Sequence, residues 1–305
     1  MKKVKVGIIG TGNIGTDLLI KIQRSPYLEC GIFAGRRLES KGMQIAKRLG
    51  VPVSAESIQA IIDDPSSCDI VFDATSAKIH LHNAPILKEM NKYVIDLTPS
   101  RIGRLCVPVI NLEECLQEDN VNLITCGGQA TIPLARAIAD IHPETEYIEV
   151  AASISSKSAG PGTRDNIDEY TQTTKDALAA FSGVKKTKAL IVLNPAEPPI
   201  IMRNTIYAKI SSPDMKKLDK SIHAMAAKIQ EYVPGYKVIT GPILTNGVVV
   251  TTIEVLGLGD YIPKYSGNLD IITSAAIKIA EEYARRRLLT EEVQACVTCC
   301  FSIPP

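Results

Sequence analysis

The sequence predicts an α/β chain in two parts, a doubly wound parallel sheet followed by an α+β domain. Three observations predict it. A short apolar run, Val4 to Ile9, leads straight into Gly10-Thr11-Gly12-Asn13-Ile14-Gly15. The first half then alternates strand-like runs with helix-period segments. Beyond about Ile141 the texture changes to longer strand-like runs separated by two helical patterns.

The first run reads as a buried strand, and Ile14, Leu18, Leu19 and Ile22 after it lie on one helical face. A G-x-G-x-x-G between such a strand and helix makes the tight turn, admits a pyrophosphate and closes the helix onto the sheet, which is the Rossmann arrangement for a dinucleotide. The second strand, Leu28 to Phe33, runs into Ala34-Gly35-Arg36-Arg37, with no acidic residue to bind the adenosine ribose. Arg36 and Arg37 are compatible with NADP and equally with a solvated loop, so phosphorylation of the cofactor stays open. Ile70 to Ala74, a helix around Pro85 to Met90 and Tyr93 to Leu97 continue the parallel rhythm. Asp73-Ala74-Thr75-Ser76 and Asp96-Leu97-Thr98-Pro99-Ser100 fall at carboxyl ends of strands and are expected to line the nicotinamide side.

Thr125-Cys126-Gly127-Gly128-Gln129-Ala130-Thr131 joins the apolar run Val121 to Ile124 to a helical pattern ending at Ile141. A sulfur at a helix N-terminus faces unpaired N–H groups and the positive end of the helix dipole. Both favour thiolate over thiol and can hold a developing oxyanion. Cys126 is therefore the candidate nucleophile.

In the second part the strand-like runs are Glu146 to Ser155, Lys188 to Leu193, Ile200 to Ser211, Tyr236 to Leu244 and Val248 to Leu256. The last two join through the hairpin signal Thr245-Asn246-Gly247. With helical patterns from Arg164 to Phe181 and Met215 to Tyr232, this predicts a largely antiparallel sheet carrying helices on one face, the other face suiting a homodimer interface. A last helix, about Asn268 to Arg287, is expected to return to the first domain. The domains then read as 1–128 for the dinucleotide, with the return helix 268–287, 129–267 for catalysis and dimerisation, and a mobile tail over 288–305.

A chain of 305 residues suits two cores, and a net charge of +1 argues against a nucleic-acid binder. No apolar run approaches ~18 residues and Met1-Lys2-Lys3 leads directly into the first strand, so neither a membrane span nor a signal peptide is expected and the location is read as cytoplasmic. Of the eight cysteines, Cys30, Cys68, Cys106, Cys115 and Cys126 are scattered singly and read as reduced thiols. Cys296, Cys299 and Cys300 lack a second ligand group at zinc-site spacing, so no metal is expected. His80, His82, His142 and His223 read as surface or packing residues.

Several blocks together resemble the acylating acetaldehyde dehydrogenases: Gly10 to Asp17, Thr125 to Thr131, Ser158-Ala159-Gly160-Pro161-Gly162-Thr163-Arg164, Asn194-Pro195-Ala196-Glu197-Pro198-Pro199 and Gly267-Asn268-Leu269-Asp270-Ile271. The resemblance implies a fold similar to glyceraldehyde-3-phosphate dehydrogenase and the reaction aldehyde + NAD + CoA to acyl-CoA + NADH. It implies Cys126 as the acyl-thioester cysteine, and dinucleotide contacts from Thr11 to Ile14, from Lys157, Ser158, Ala159, Gly160, Pro161, Gly162, Thr163, Arg164 and Asp165, and from Asn268. It also implies pairing with a 4-hydroxy-2-oxovalerate aldolase in bacterial catabolism of aromatic compounds through meta-cleavage.

The chain departs from the family at one place. Relatives often carry an acidic residue, proposed as general base, where Met202-Arg203-Asn204-Thr205 stands here. An amide cannot accept a proton at neutral pH, so Asn204 reads as a positioning residue. Thiol activation then relies on the helix terminus, Arg203 and water, or a base comes from elsewhere. Two alternatives stay open. A phosphorylating semialdehyde dehydrogenase would need basic residues for phosphate and usually a histidine near the thiol, whereas a non-catalytic NAD-binding regulator would need no such cysteine.

Overall fold

The computed structural model describes the backbone of residues 2–160, 163–164 and 167–300, with side chains up to residue 290. Strands β1 (Val4–Ile9), β2 (Leu28–Ala34), β3 (Val53–Ser54), β4 (Ile70–Asp73), β5 (Tyr93–Asp96), β6 (Arg104–Leu105) and β7 (Asn120–Asn122) form one sheet. Its order is β3-β2-β1-β4-β5-β7-β6 and every pairing is parallel. The strand order reverses between β1 and β4, which opens a crevice beyond their carboxyl ends. Val6, Ile8, Ile70, Phe72 and Ile95 are buried beneath the helix Asn13–Arg24, whose Leu18, Leu19 and Ile22 complete that layer.

The second sheet is built from β8 (Tyr147–Ser155), β9 (Thr187–Asn194), β10 (Met202–Lys209), β11 (Tyr236–Thr245) and β12 (Val248–Val255), in the order β11-β12-β10-β8-β9. Alternation sets its faces. Along β10, Met202, Asn204, Ile206 and Ala208 are buried while Arg203 and Lys209 are exposed. The buried face carries the helices Cys126–Ile141, Ile167–Ser182 and Met215–Gln230. The other face leaves Leu190 and Val192 exposed.

The expected antiparallel sheet is interrupted at one pairing, because β8 and β9 run parallel. They are joined across the helix Ile167–Ser182, and a crossover helix returns the chain in the same direction.

A helix Gly267–Cys300 runs back to the first sheet, burying Ile272, Ala275, Ala276, Ile279, Ala280 and Ala284 in its core. The buried Lys21 ammonium ties the two helices together, donating to Asp17 at 2.6 Å and Asp270 at 2.8 Å. Burial opposes its charge, but the two carboxylates outweigh it and raise the Lys21 pKa. The segment from Leu288 differs from the irregular tail expected of it: the backbone stays helical through Cys300, and residues 301–305 lie outside the described residues. No glycine or proline occurs between Leu288 and Cys300 to stop the helix. Among the described residues no helix is long and apolar enough to cross a membrane.

Candidate active site

The first component is the cleft at the β1/β4 crevice. Gly10 has φ +107°, and a side chain there would strike the Ala74 carbonyl. Gly12 faces open space, and a side chain on Gly15 would overlap the Gly10 carbonyl. Gly12 is also the N-cap of the helix Asn13–Arg24, which has no side-chain cap, so its first N–H groups stay available to an anion. The cleft, about 620 Å³, is lined by Gly10, Thr11, Gly12, Arg36, Arg37, Ser40, Thr75 and Ser76. Both arginines thus stand at the cleft.

The second component is a cavity of about 90 Å³ lined by Cys126 together with Ile14, Leu97, Pro99, Thr125, Thr163, Tyr170, Asn268 and Leu269. Cys126 opens its helix because Thr125 is extended at φ −152° and its hydroxyl accepts from Gly128 N–H. The preceding Ile124 is held at φ +65°, a costly conformation for a β-branched residue, by donation from its N–H to Asn122 Oδ1 at 2.8 Å. This strain turns the chain sharply from β7 into the helix and sets the sulfur at the cavity wall.

The thiol environment differs from the sequence reading. Burial among Leu97, Pro99, Ile124 and Leu269 pushes the Cys126 pKa above its ordinary value, more than Tyr170 and the N–H groups of Gly127 and Cys126 lower it. The helix terminus alone does not make a resting thiolate in this apolar setting.

Thr163, from the stretch that the family resemblance assigns to the dinucleotide, borders the same cavity. Lys157 pairs with Glu197 at 2.6 Å, and Arg164 donates to Ser156 O at 2.6 Å and to Ala159 O at 3.1 Å. Ser158 and Ala159 are buried, and Gly160 faces open space. Pro161, Gly162 and Asp165 lie outside the described residues. Asn268 Nδ2 donates to Ser158 O at 3.3 Å, whereas its buried Oδ1 has no protein partner. A buried acceptor at a cavity wall that Ile14 of the glycine motif also forms fits the carboxamide of a nicotinamide ring.

Asp73 and Asp96 turn away from the cavity. Asp96 accepts from Thr98 N–H at 2.8 Å and Asn122 Nδ2 at 2.6 Å, and Asp73 accepts from Thr75 N–H at 3.1 Å. Their loops contribute Leu97 and Pro99 to the cavity, and Thr75 and Ser76 to the cleft. His80, expected at the surface or in packing, is fully buried behind these carboxylates.

Asn204 is fully buried on β10, and neither amide atom has a protein partner. Its register partner Ala152 lies in van der Waals reach of the Gly127 position, so Asn204 sits one strand from the first turn of the Cys126 helix. It does not line the cavity. Arg203 cannot assist the thiol, because adjacent strand positions face opposite ways: it is exposed on the open face and donates to Glu254 at 3.0 Å. Tyr170 was not legible in the sequence. Its hydroxyl lies 3.6 Å from Cys126 Sγ, yet 44 residues separate the two and no spacing links them.

Residues 5–116 match the family model "Semialdehyde dehydrogenase, NAD binding domain", and residues 126–263 match "Prokaryotic acetaldehyde dehydrogenase, dimerisation". An acetaldehyde dehydrogenase of Pectobacterium atrosepticum is 55% identical over 282 residues, 92% of this chain and 95% of the relative. One from Geobacillus stearothermophilus is 52% identical over 293 residues, 95% of this chain and 99% of the relative. Among solved structures, aspartate semialdehyde dehydrogenase II of Vibrio cholerae superposes with TM-score 0.61 at 16% identity, covering 93% of this chain and 99% of that one, a likeness of fold. With more than half its residues identical to those of near-full-length relatives, and with the family's dimerisation model matching the segment that Cys126 opens, the chain belongs to the acetaldehyde dehydrogenase family of oxidoreductases.

Proposed function

We propose that the enzyme converts acetaldehyde, or another short-chain aldehyde, with NAD and coenzyme A to acyl-CoA and NADH through a thioester on Cys126. The observation that carries this reading is the shared cavity, where Cys126 meets Ile14 of the glycine motif and Asn268. NAD, when bound, supplies the hydride acceptor. Gly10 to Gly15 and the helix N-terminus would hold its pyrophosphate, Asn268 its carboxamide, and Lys157 to Asp165 the intervening wall. Cys126 carries the acyl group as a thioester, and attack by the CoA sulfur releases the cysteine sulfur. Asn204, which takes no proton and does not line the cavity, would act as a positioning residue through Ala152 and the first turn of the Cys126 helix. Arg36 and Arg37 make NADP usable beside NAD.

The acyl-phosphate alternative finds no support among the described residues: neither a histidine nor a lysine lines the cavity. The open face of the second sheet, where Leu190 and Val192 stand exposed beside charged residues such as Arg203, supports a homodimer. The family resemblance supports a cytoplasmic role in meta-cleavage of aromatic compounds beside a 4-hydroxy-2-oxovalerate aldolase, two of each chain in a heterotetramer that passes the aldehyde internally.

The test is Cys126→Ser. Mass spectrometry of the wild-type enzyme with acyl-CoA and no NADH is expected to show one acyl adduct, which the serine variant lacks while still binding NAD. An adduct that persists on the variant moves the nucleophile to another thiol.

A further inference from the structure

We propose that Tyr170 is a second catalytic residue, whose phenolic O–H donates to the Cys126 sulfur and holds its negative charge when the sulfur attacks and again when it leaves; this rests on Cys126 being the nucleophile.

The hydrogen bonds around the phenol assign the direction. Gly127 N–H donates to the Tyr170 oxygen at 2.9 Å, so the phenol's own hydrogen is free to point elsewhere. Thr174 donates its hydroxyl hydrogen to the Tyr170 carbonyl at 2.7 Å, which leaves the 2.7 Å contact between Thr125 and Thr174 to be made by the Thr125 hydrogen. Cys126 Sγ is then the acceptor at 3.6 Å. Accepting from a helix N-terminal N–H polarises the phenol and strengthens its donation, so the charge at the helix terminus reaches the sulfur through Tyr170.

Thr125 also lines the cavity, and its hydroxyl oxygen already accepts from Gly128 N–H. Besides Cys126, Tyr170 is the only ionisable side chain among the described residues lining it. Burial raises the tyrosine pKa well above its ordinary value, which keeps the phenol neutral and a donor at every working pH. Of the amino acids only glycine at 127 is compatible with this arrangement, since any side chain there would collide with the Tyr170 hydroxyl.

Neither step in which Tyr170 acts changes an oxidation state; the oxidation between them is the hydride loss that NAD would accept under the proposed function. When the thiol ionises, its S–H bond breaks and the proton passes to solvent, while the phenol O–H stays intact and tightens onto the thiolate. When the acyl group departs, CoA gives up its thiol proton to solvent and bonds through sulfur to the acyl carbon, and the bond from that carbon to Cys126 sulfur breaks. The electron pair returning to Cys126 again meets the phenol hydrogen.

The test reads the rate of alkylation of Cys126 by iodoacetamide against pH, by peptide mass spectrometry on the full-length enzyme. In Tyr170→Phe the midpoint is expected to rise by about one to two pH units, the size of one hydrogen bond to a charged group. Incorporation of 3-fluorotyrosine at residue 170, a stronger donor of nearly the same size, is expected to lower the midpoint, and carries the test if the phenylalanine variant folds poorly. A midpoint indifferent to both changes overturns the role of Tyr170 alone. Absence of an acyl adduct at Cys126 overturns the nucleophile itself, and this role with it.

Discussion

His80 Nδ1 lies 3.0 Å from Asp73 Oδ2, with both side chains fully withdrawn from solvent. Its Nε2 faces Asp96 Oδ2 at 3.5 Å and the Asn120 amide at 3.0 Å. Burial opposes the imidazolium, but Asp73 and Asp96 outweigh it and raise the His80 pKa above 6.5. Asn120 Oδ1 lacks a partner as oriented, and turning the amide over lets it accept from Nε2–H, which an imidazolium provides.

A histidine whose folded pKa is raised contributes stability that is fully present below its unfolded value near 6.5 and is lost as pH rises through the folded one. Urea unfolding of the wild type is therefore expected to show stability falling from about pH 6.5 upward, and His80→Gln is expected to flatten that part of the curve. Asp73→Asn, which leaves the imidazolium beside one carboxylate, is expected to cost roughly 3–5 kcal/mol at pH 6.

Lys21→Met tests the tie between the first helix and the returning one. Removing the cation leaves Asp17 and Asp270 buried together, at a cost of roughly 3–5 kcal/mol in urea unfolding at neutral pH. Burial already raises the Asp270 pKa. The deficit is expected to shrink as pH falls, because protonating Asp270 removes the uncompensated charge.

Replacing Arg36 and Arg37 together by glutamine is expected to move the NAD to NADP ratio of kcat/KM toward NAD by about tenfold or more, the value of a charge-assisted contact to a phosphate. Steady-state rates with each cofactor measure it. An unchanged ratio shows that neither guanidinium reaches the ribose from its place on the cleft wall.

Asn204→Leu separates stability from turnover. Removing a buried amide with two unpaired atoms is expected to leave urea stability unchanged or raise it by about 1–3 kcal/mol. Turnover is expected to fall at least tenfold, about 1.4 kcal/mol in the barrier, if the amide holds the first turn of the Cys126 helix in its working position. A variant as active as the wild type makes Asn204 a packing residue.

What the sequence made legible was local. The turn after β1 could be read because Gly10, Gly12 and Gly15 each answer a steric demand within a few residues, and the strands of the second sheet because alternation along β10 and β12 repeats on every residue pair. Strands β3 and β6, two residues each, are too short to carry a period. The parallel pairing of β8 with β9 follows from where a crossover helix packs, which is a tertiary matter. Of the site, Cys126 and the glycine motif stood out by context, Asn204 and Asn268 only through family resemblance. Tyr170 and the His80 clasp remained hidden because a tyrosine or histidine on a helical pattern looks the same whether it meets a thiol, two carboxylates or plain packing.

The helix Gly267–Cys300 has a consequence for biosynthesis. Ile272, Ala275, Ala276, Ile279, Ala280 and Ala284 close the core of the sheet that β1 begins. On the ribosome that sheet therefore waits, one layer incomplete, until those residues have emerged, while the second sheet already has all its strands once Val255 is made. The nucleotide-binding half is started first and finished last, and a nascent chain released before residue 284 exposes an apolar face to chaperones and proteases.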